Sequence, residues 1–172
     1  MIELMKETAK LYSEWSIYGE IEDFAQFQAL IQALYEAEEG DYMLWNLNSP
    51  GGACDVGQAL IAAMARSKAY VHCHVEANCY SMASMLALCG DKLSFNRNTF
   101  LMFHDYSTSY GGKGSDIGKN VEFERQVYVS LFKEWCCPFL TDKEFTKMMN
   151  GDDLYLRWDD KTMPARLKRH FV

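Results

Sequence analysis

The chain has 172 residues and a formal net charge of −7, and 49% of its residues are hydrophobic against 24% charged. This balance argues against a disordered or a fibrous chain and favours a single domain over residues 1–172. The negative charge argues against a general nucleic-acid surface, which needs clustered Lys and Arg to neutralise phosphates.

The start of the chain and its apolar stretches predict a cytoplasmic protein without a membrane partner. Acidic residues stand at Glu3 and Glu7, where a secretory leader would be basic. The longest apolar stretch, near 82–89, is far shorter than the roughly 20 residues that span a bilayer. The one basic cluster, at 166–170, is interpreted as a solvated tail.

The apolar periodicity predicts alternating strands and helices. Strands are expected near 15–18, 42–47, 70–75, 93–95 and 100–103. Helices are expected near 22–38, 55–66, 81–89 and 116–135. This alternation is typical of βαβ units around a largely parallel sheet. Residues 106–114 are rich in Ser, Thr, Tyr and Gly, and they predict either a mobile connection or a strand with bulges.

The last predicted helix, 116–135, is apolar over more than one face, so it should pack on two sides. A fully buried core helix and a helix at a subunit interface both satisfy this pattern, and the sequence leaves the two readings open.

The cysteines and histidines do not predict a metal site. The six cysteines are irregularly spaced and form no C-x-x-C pair, which is typical of small buried hydrophobic residues in a cytosolic protein. In a strand, His72 and His74 would point to one face and Cys73 to the other, so the three could not share one metal. We expect neither a metal nor another cofactor.

Four short features of the sequence predict a nucleophilic site. Gly51 and Gly52 follow an apolar run and could turn a backbone N–H into a cleft, while Ser81 opens an apolar helix. His104 follows Ser81 by 23 residues, and an Asp pair at 152 and 153 follows His104 by nearly fifty. A Ser at the start of a helix is usually an N-cap, but this combination favours a serine nucleophile with a base and an oxyanion hole.

The motifs resemble a known family in order and in spacing. Asn48-Ser49-Pro50-Gly51-Gly52, Tyr80-Ser81-Met82-Ala83-Ser84, Met102-Phe103-His104 and Asp116-Ile117 are similar to motifs of the proteolytic subunit of the ATP-dependent Clp protease. The resemblance covers roughly 15–161. It implies an α/β fold, a crotonase-like spiral of ββα units with a protruding interface helix, through which heptameric rings stack.

The resemblance also assigns roles to residues. It implies that Ser81 is the nucleophile, that His104 is the general base and acid, and that the backbone N–H groups of Gly52 and Met82 form the oxyanion hole. In the family an Asp is followed two residues later by an aromatic residue, and then by an aliphatic and a small polar residue. Asp153 fits this pattern without a gap, and Asp152 is the runner-up. The implied enzyme is a serine endopeptidase, a homo-oligomer that cleaves short or unfolded polypeptides within a ring chamber.

The chain departs from the family pattern in several places. Tyr80 replaces the usual Ala, Arg157 replaces the small polar residue, and two residues are missing between Ser81 and His104, which we assign to the loop 90–92. Residues 1–13 have no counterpart of the gating loop, so docking of an AAA+ unfoldase stays open. A short, divergent chain of this kind also resembles proteases encoded by phages.

Three alternatives to an active Clp-type peptidase remain. One is a catalytically silent ring subunit, although Ser81, His104 and an Asp are all present. Another is a crotonase-type acyl-CoA enzyme, which shares the oxyanion hole but does not need this Ser–His pair. A Ser–Lys peptidase using Lys92 is the weakest of the three.

Overall fold

The structure is a computed structural model and describes residues 2–171. Its strands are β1 Tyr12–Tyr18, β2 Tyr42–Ser49, β3 Tyr70–Tyr80, β4 Lys92–Phe95, β5 Phe100–Phe103 and β6 Leu154–Arg157. Its helices are α1 Ile2–Thr8, α2 Gln28–Glu36, α3 Cys54–Arg66, α4 Met82–Cys89, α5 Gly114–Cys136, α6 Asp142–Met148 and α7 Met163–His170, with a 3₁₀ turn at Phe24–Phe27.

The strands form one sheet in the order β1-β2-β3-β5-β6, and β4 also pairs with β3. Every pairing is parallel except β5 with β6. β3 is long enough to pair with β4 over its first half and with β5 near its end, on the edge away from β2. This arrangement confirms the predicted α/β class and its largely parallel sheet.

Helix α4 is the most deeply buried helix around the sheet. Seven of its eight residues are buried, and it packs against α3, α5 and β3. Burying each large apolar side chain such as Leu86 stabilises the fold by roughly 1.5–3 kcal/mol. The start of α4, at Met82, is therefore held firmly relative to the sheet.

Several element bounds differ from the sequence prediction. The expected helix at 22–38 is a 3₁₀ turn followed by α2, because the Asp23 side chain accepts hydrogen bonds from the amides of Ala25 and Gln26. β3 continues five residues beyond its predicted end at Val75. Residues 104–113 form no helix or strand, so the bulged strand is wrong there.

The prediction of a solvated basic tail is wrong for Arg166, although Lys168 and Arg169 are exposed. Residues 163–170 form α7, and Arg166 is 5% exposed. Its guanidinium donates to both carboxylate oxygens of Glu144, with Nη1 2.9 Å from Oε2, and to the carbonyl of Phe139. His170 contacts the carbonyl of Leu88 at 2.8 Å, which attaches α7 to the end of α4. A run of charged residues in the sequence does not indicate such contacts, because only the fold shows which side of the helix faces the rest of the protein.

The Glu144–Arg166 pair predicts a loss of stability in acid. Hydrogen bonding to Arg166 lowers the pKa of Glu144 from 4.5 to about 2, so its contribution is complete above pH 4.5 and is lost as the pH falls toward 2. We expect Glu144→Gln to lower the free energy of unfolding at pH 7 by about 2 kcal/mol, because a buried guanidinium loses its carboxylate.

Urea titrations between pH 7 and pH 3 measure this effect. The Gln variant should lose less stability over that interval than the unchanged protein. Asp142→Asn is the matched control on the same helix, because its side chain is 86% exposed. Parallel stability curves for the protein and its Gln variant would contradict the prediction.

The structure confirms the predicted alternation at 72–74. His72 and His74 both hydrogen-bond the Ser94 hydroxyl, at 2.6 and 2.7 Å, while Cys73 Sγ points toward the carbonyl of Leu86. Burial lowers the pKa of His72 to about 4. All six cysteines are free, and three of them, Cys73, Cys79 and Cys136, are buried as predicted.

Helix α5 has two different halves. Near its end, Phe132 and Trp135 are buried in the core, whereas Val121 and Phe123 are exposed, Phe123 by 67%. The prediction of a fully buried core helix is therefore wrong for the first half of α5 in the isolated chain. Over the described residues, none of the helices has the length and hydropathy needed to cross a membrane.

Candidate active site

Ser81 is the single residue between β3 and α4, and its backbone has φ 55° and ψ −127°. A residue other than Gly rarely adopts this left-handed region, and doing so costs on the order of 1–3 kcal/mol. The amide of Ser81 donates to the carbonyl of Met102 at 2.8 Å, and its carbonyl accepts from the amide of Ser84. The strained turn places the Ser81 side chain at the N-terminus of a buried helix.

Ser84 holds this turn against the sheet. Its hydroxyl donates to the carbonyl of Cys79 at 2.5 Å and accepts from the amide of Met102 at 3.3 Å. One buried side chain thus joins β3, α4 and β5. Since β5 leads directly into His104, Ser84 helps to position Ser81 relative to His104.

His104 follows the last residue of β5 and reaches back to Ser81. Its Nε2 lies 2.7 Å from Ser81 Oγ, which is hydrogen-bonding distance. The structure thus brings the predicted nucleophile and base into direct contact.

The Gly51-Gly52 pair packs directly against the Ser81 turn. Gly51 has φ 94°, and a Cβ at this position would lie 2.6 Å from Ser81 Cβ. Gly52 has φ 147°, and a Cβ there would lie 2.1 Å from the carbonyl oxygen of Ile21. Hydrogen bonds from the Ile21 amide to Gly51 and from the Ala53 amide to Ile21 hold the loop in place. Both positions therefore require glycine.

The two predicted oxyanion donors border one cavity. Gly52 and Met82 line it together with Ser81 and His104. Met82 is the first residue of α4, and the first four N–H groups of a helix have no partner within the helix. Within residues 2–171, the N–H groups of Gly52 and Met82 donate no backbone hydrogen bond in the turns, loops and helix caps. Both are available to a ligand.

The cavity has a volume of about 200 Å³. Besides the catalytic candidates, its walls come from the start of α3, the segment after His104 and one side of α5. These additional wall residues are Ala53, Cys54, Asp55, Met85, Asp105, Tyr106, Ser107, Thr108, Glu124, Tyr128 and Phe132. The cavity is large enough to hold an amino-acid side chain beside Ser81.

A family model described as Clp protease matches residues 4–132. The chain belongs to the Clp protease family. Its fold is accordingly the crotonase-like α/β fold that the resemblance implied, and family membership implies a serine-type peptidase. A comparison with curated proteins finds no match.

In this Clp-family chain, both candidate acids lie beyond the matched residues. In the antiparallel β5–β6 pair, Phe103 lies opposite Leu154, so His104 and Asp153 are the first residues beyond this end of the two strands. The side chains of Asp152 and Asp153 are exposed. Among residues 2–171, no hydrogen bond joins His104 to either carboxylate. Asp153 as the third member stays a prediction, supported by strand register.

The sequence did not indicate how the segment after His104 is held. Tyr106 packs on Tyr128 with ring centroids 4.7 Å apart, and Asp105 forms a 2.9 Å ion pair with Arg125. Arg125 also donates to the carbonyl of Met149. Adjacency to His104 could have singled out Asp105 and Tyr106. Their partners on α5 depend on the tertiary fold.

Proposed function

We propose that this Clp-family chain hydrolyses peptide bonds through an acyl-enzyme on Ser81. The observation that carries the proposal is the 2.7 Å contact between His104 Nε2 and Ser81 Oγ, at a strained turn beside two available amides. A Ser hydroxyl is a weak nucleophile and needs such a base, and the oxyanion of the tetrahedral intermediate needs preset donors.

Acylation uses the neutral His104 tautomer that carries its proton on Nδ1. Nε2 accepts the Ser81 hydroxyl proton as Oγ attacks the peptide carbonyl carbon. The amides of Gly52 and Met82 donate to the resulting oxyanion, and the dipole of α4 adds to this stabilisation. The C–N bond then breaks, and the imidazolium returns the proton to the leaving amine.

Deacylation repeats the same transfers with water. His104 Nε2 accepts a proton from water as its oxygen attacks the ester carbon. The ester bond to Ser81 breaks, and the proton passes to Oγ. The products are a free carboxylic acid and the regenerated enzyme. In this proposal Asp153 orients His104 and stabilises its positive form.

Labelling with a small fluorophosphonate tests the proposal. The probe should form one covalent adduct per chain, and mass spectrometry should map it to Ser81. His104→Gln should abolish labelling at the same concentration, because Oγ loses its base. An intact protein that is not labelled would favour the silent subunit or the acyl-CoA enzyme, and an adduct elsewhere would contradict the assignment of Ser81.

We further propose that the chain works as a ring-shaped homo-oligomer that encloses the active sites. The exposed Phe123 and Val121 on the first half of α5 support this, because large apolar side chains exposed close together are typical of an interface. Closed rings form through head-to-tail contacts between identical subunits. Enclosure would restrict access to short or unfolded polypeptides.

Phe123→Glu should break this assembly. Burial of one such ring contributes roughly 1.5–3 kcal/mol per subunit, and a carboxylate in its place adds a desolvation penalty. Multi-angle light scattering should show a large oligomer for the unchanged protein and a smaller species for the variant. Glu122→Gln, at the neighbouring exposed position, should leave the mass unchanged. A monomeric mass for the unchanged protein at micromolar concentration would contradict the chamber.

A further inference from the structure

The wall of the cavity contains an acid that catalysis does not use. Glu124, on α5, lines the cavity together with Ser81 and His104. Its carboxylate interacts with the Tyr110 hydroxyl, and this hydrogen bond raises the pKa of Tyr110. The Oε2 atom is buried and has no hydrogen-bond partner in the part of the chain that the structure describes. A buried carboxylate oxygen without a donor is costly, so a rotation of the Glu124 side chain that turns Oε2 toward a cationic ligand in the cavity would be favoured.

The charges around the cavity are mostly negative. Asp55 and Asp105 also line it, and Asp105 forms an ion pair with Arg125. No salt bridge among the described residues involves Glu124 or Asp55. Burial raises the pKa of the Cys54 thiol, and the charges of Asp55 and Glu124 raise it further, in agreement with a negative potential there.

The remaining wall suits a long aliphatic chain. Met85, Tyr128 and Phe132 are apolar and border the same cavity. Lys and Arg combine an aliphatic stem, which packs on such a wall, with a cationic head that donates charge-assisted hydrogen bonds. A Leu side chain would fill the space but would leave Oε2 of Glu124 without a donor.

We infer that Glu124 makes this site selective for cleavage directly after a Lys or Arg residue, whose carbonyl group belongs to the scissile peptide bond. The inference rests on the proposed peptidase function. The cationic head would lie at Glu124 and the stem against Tyr128, which leaves the carbonyl carbon at Ser81. Because Glu124 is only partly buried, matching its charge should be worth about 10- to 100-fold in discrimination, less than in a fully buried site.

Peptides that differ only at this position test the inference. Three fluorogenic peptides would carry Arg, Leu or Glu directly before the scissile bond. Each rate would be divided by the concentration of active sites, measured by titration with the fluorophosphonate. We expect kcat/KM for Arg to exceed that for Leu by at least about tenfold, with Glu the poorest. Glu124→Gln should reduce the ratio of Arg to Leu at least tenfold. Glu122→Gln, an exposed position outside the cavity, should leave the ratio unchanged.

A second measurement does not depend on any variant. The unchanged protein would digest an unfolded substrate, and mass spectrometry would count the product C-termini. Enrichment of Lys and Arg supports the inference. Cleavage mainly after apolar residues by a labelled enzyme would overturn it and leave the Ser81 chemistry standing. A protein that is neither labelled nor active would remove the proposed function, and this inference with it.

Discussion

Ser81→Ala is expected to lower kcat for peptide hydrolysis by about 10⁴-fold or more, with little change in the fold. The substitution removes the oxygen that attacks the carbonyl and leaves the Gly52 and Met82 amides in place. Ala has the same backbone restrictions as Ser at φ 55°, so the strained turn should not relax. Steady-state hydrolysis of a fluorogenic peptide measures the loss, and circular dichroism checks the fold.

Ser16→Ala is the matched control for this prediction. Ser16 is exposed on β1 and does not line the cavity, so its variant should keep full activity. Turnover by a clean Ser81→Ala preparation at the rate of the unchanged protein would contradict the acyl-enzyme mechanism. Loss of activity in both variants would point to damage unrelated to the nucleophile.

Asp153→Asn is expected to lower kcat by about 10²- to 10⁴-fold, and Asp152→Asn by much less. His104 and Asp153 are the first residues beyond the Phe103–Leu154 pair, and we expect the Asp153 carboxylate to accept from His104 Nδ1 in the active enzyme. Asn at that position can donate to Nδ1 and favour the wrong tautomer, which removes the base from Ser81. The same peptide assay on both variants measures the difference.

The pair of variants separates the two acids. Asp152 is also exposed and lies one residue farther from β6, so it serves as the control for a general loss of negative charge. Equal and small losses in both variants would show that His104 works without either Asp. A larger loss in Asp152→Asn would exchange their roles.

The arrangement of the site explains why distant segments of the chain are needed for one reaction. Ser81 follows β3, His104 follows β5, and the glycine loop follows β2, so all three lie at the same end of neighbouring parallel strands. Loops at the carboxyl ends of parallel strands meet at one edge of the sheet, which is where α/β proteins place their sites. The register of the sheet, together with Ser84, sets the contact between Ser81 and His104.

Much of the fold and of the site could be predicted from the sequence because the signals are local. Each central strand and helix has a clear apolar period, and the glycine, serine and histidine motifs stand directly after strands. The prediction of local structure is weakest where a polar side chain makes hydrogen bonds that the apolar period does not indicate. Asp23 turned the start of a helix into a capped 3₁₀ turn, and Arg166, which looked solvated, is buried against Glu144.

The sequence by itself determined the α/β class, the family resemblance and the identity of Ser81, His104, Gly52 and Met82 as candidates. Only the tertiary structure decided that His104 reaches Ser81, that one side of α5 faces the cavity, and that Glu124, whose Oε2 is buried without a hydrogen-bond partner, is one of the residues on that side. The physical reason is that periodicity reports which residues of an element are apolar. It does not report which distant element they meet, because those contacts depend on strand register and on helix packing across the whole chain.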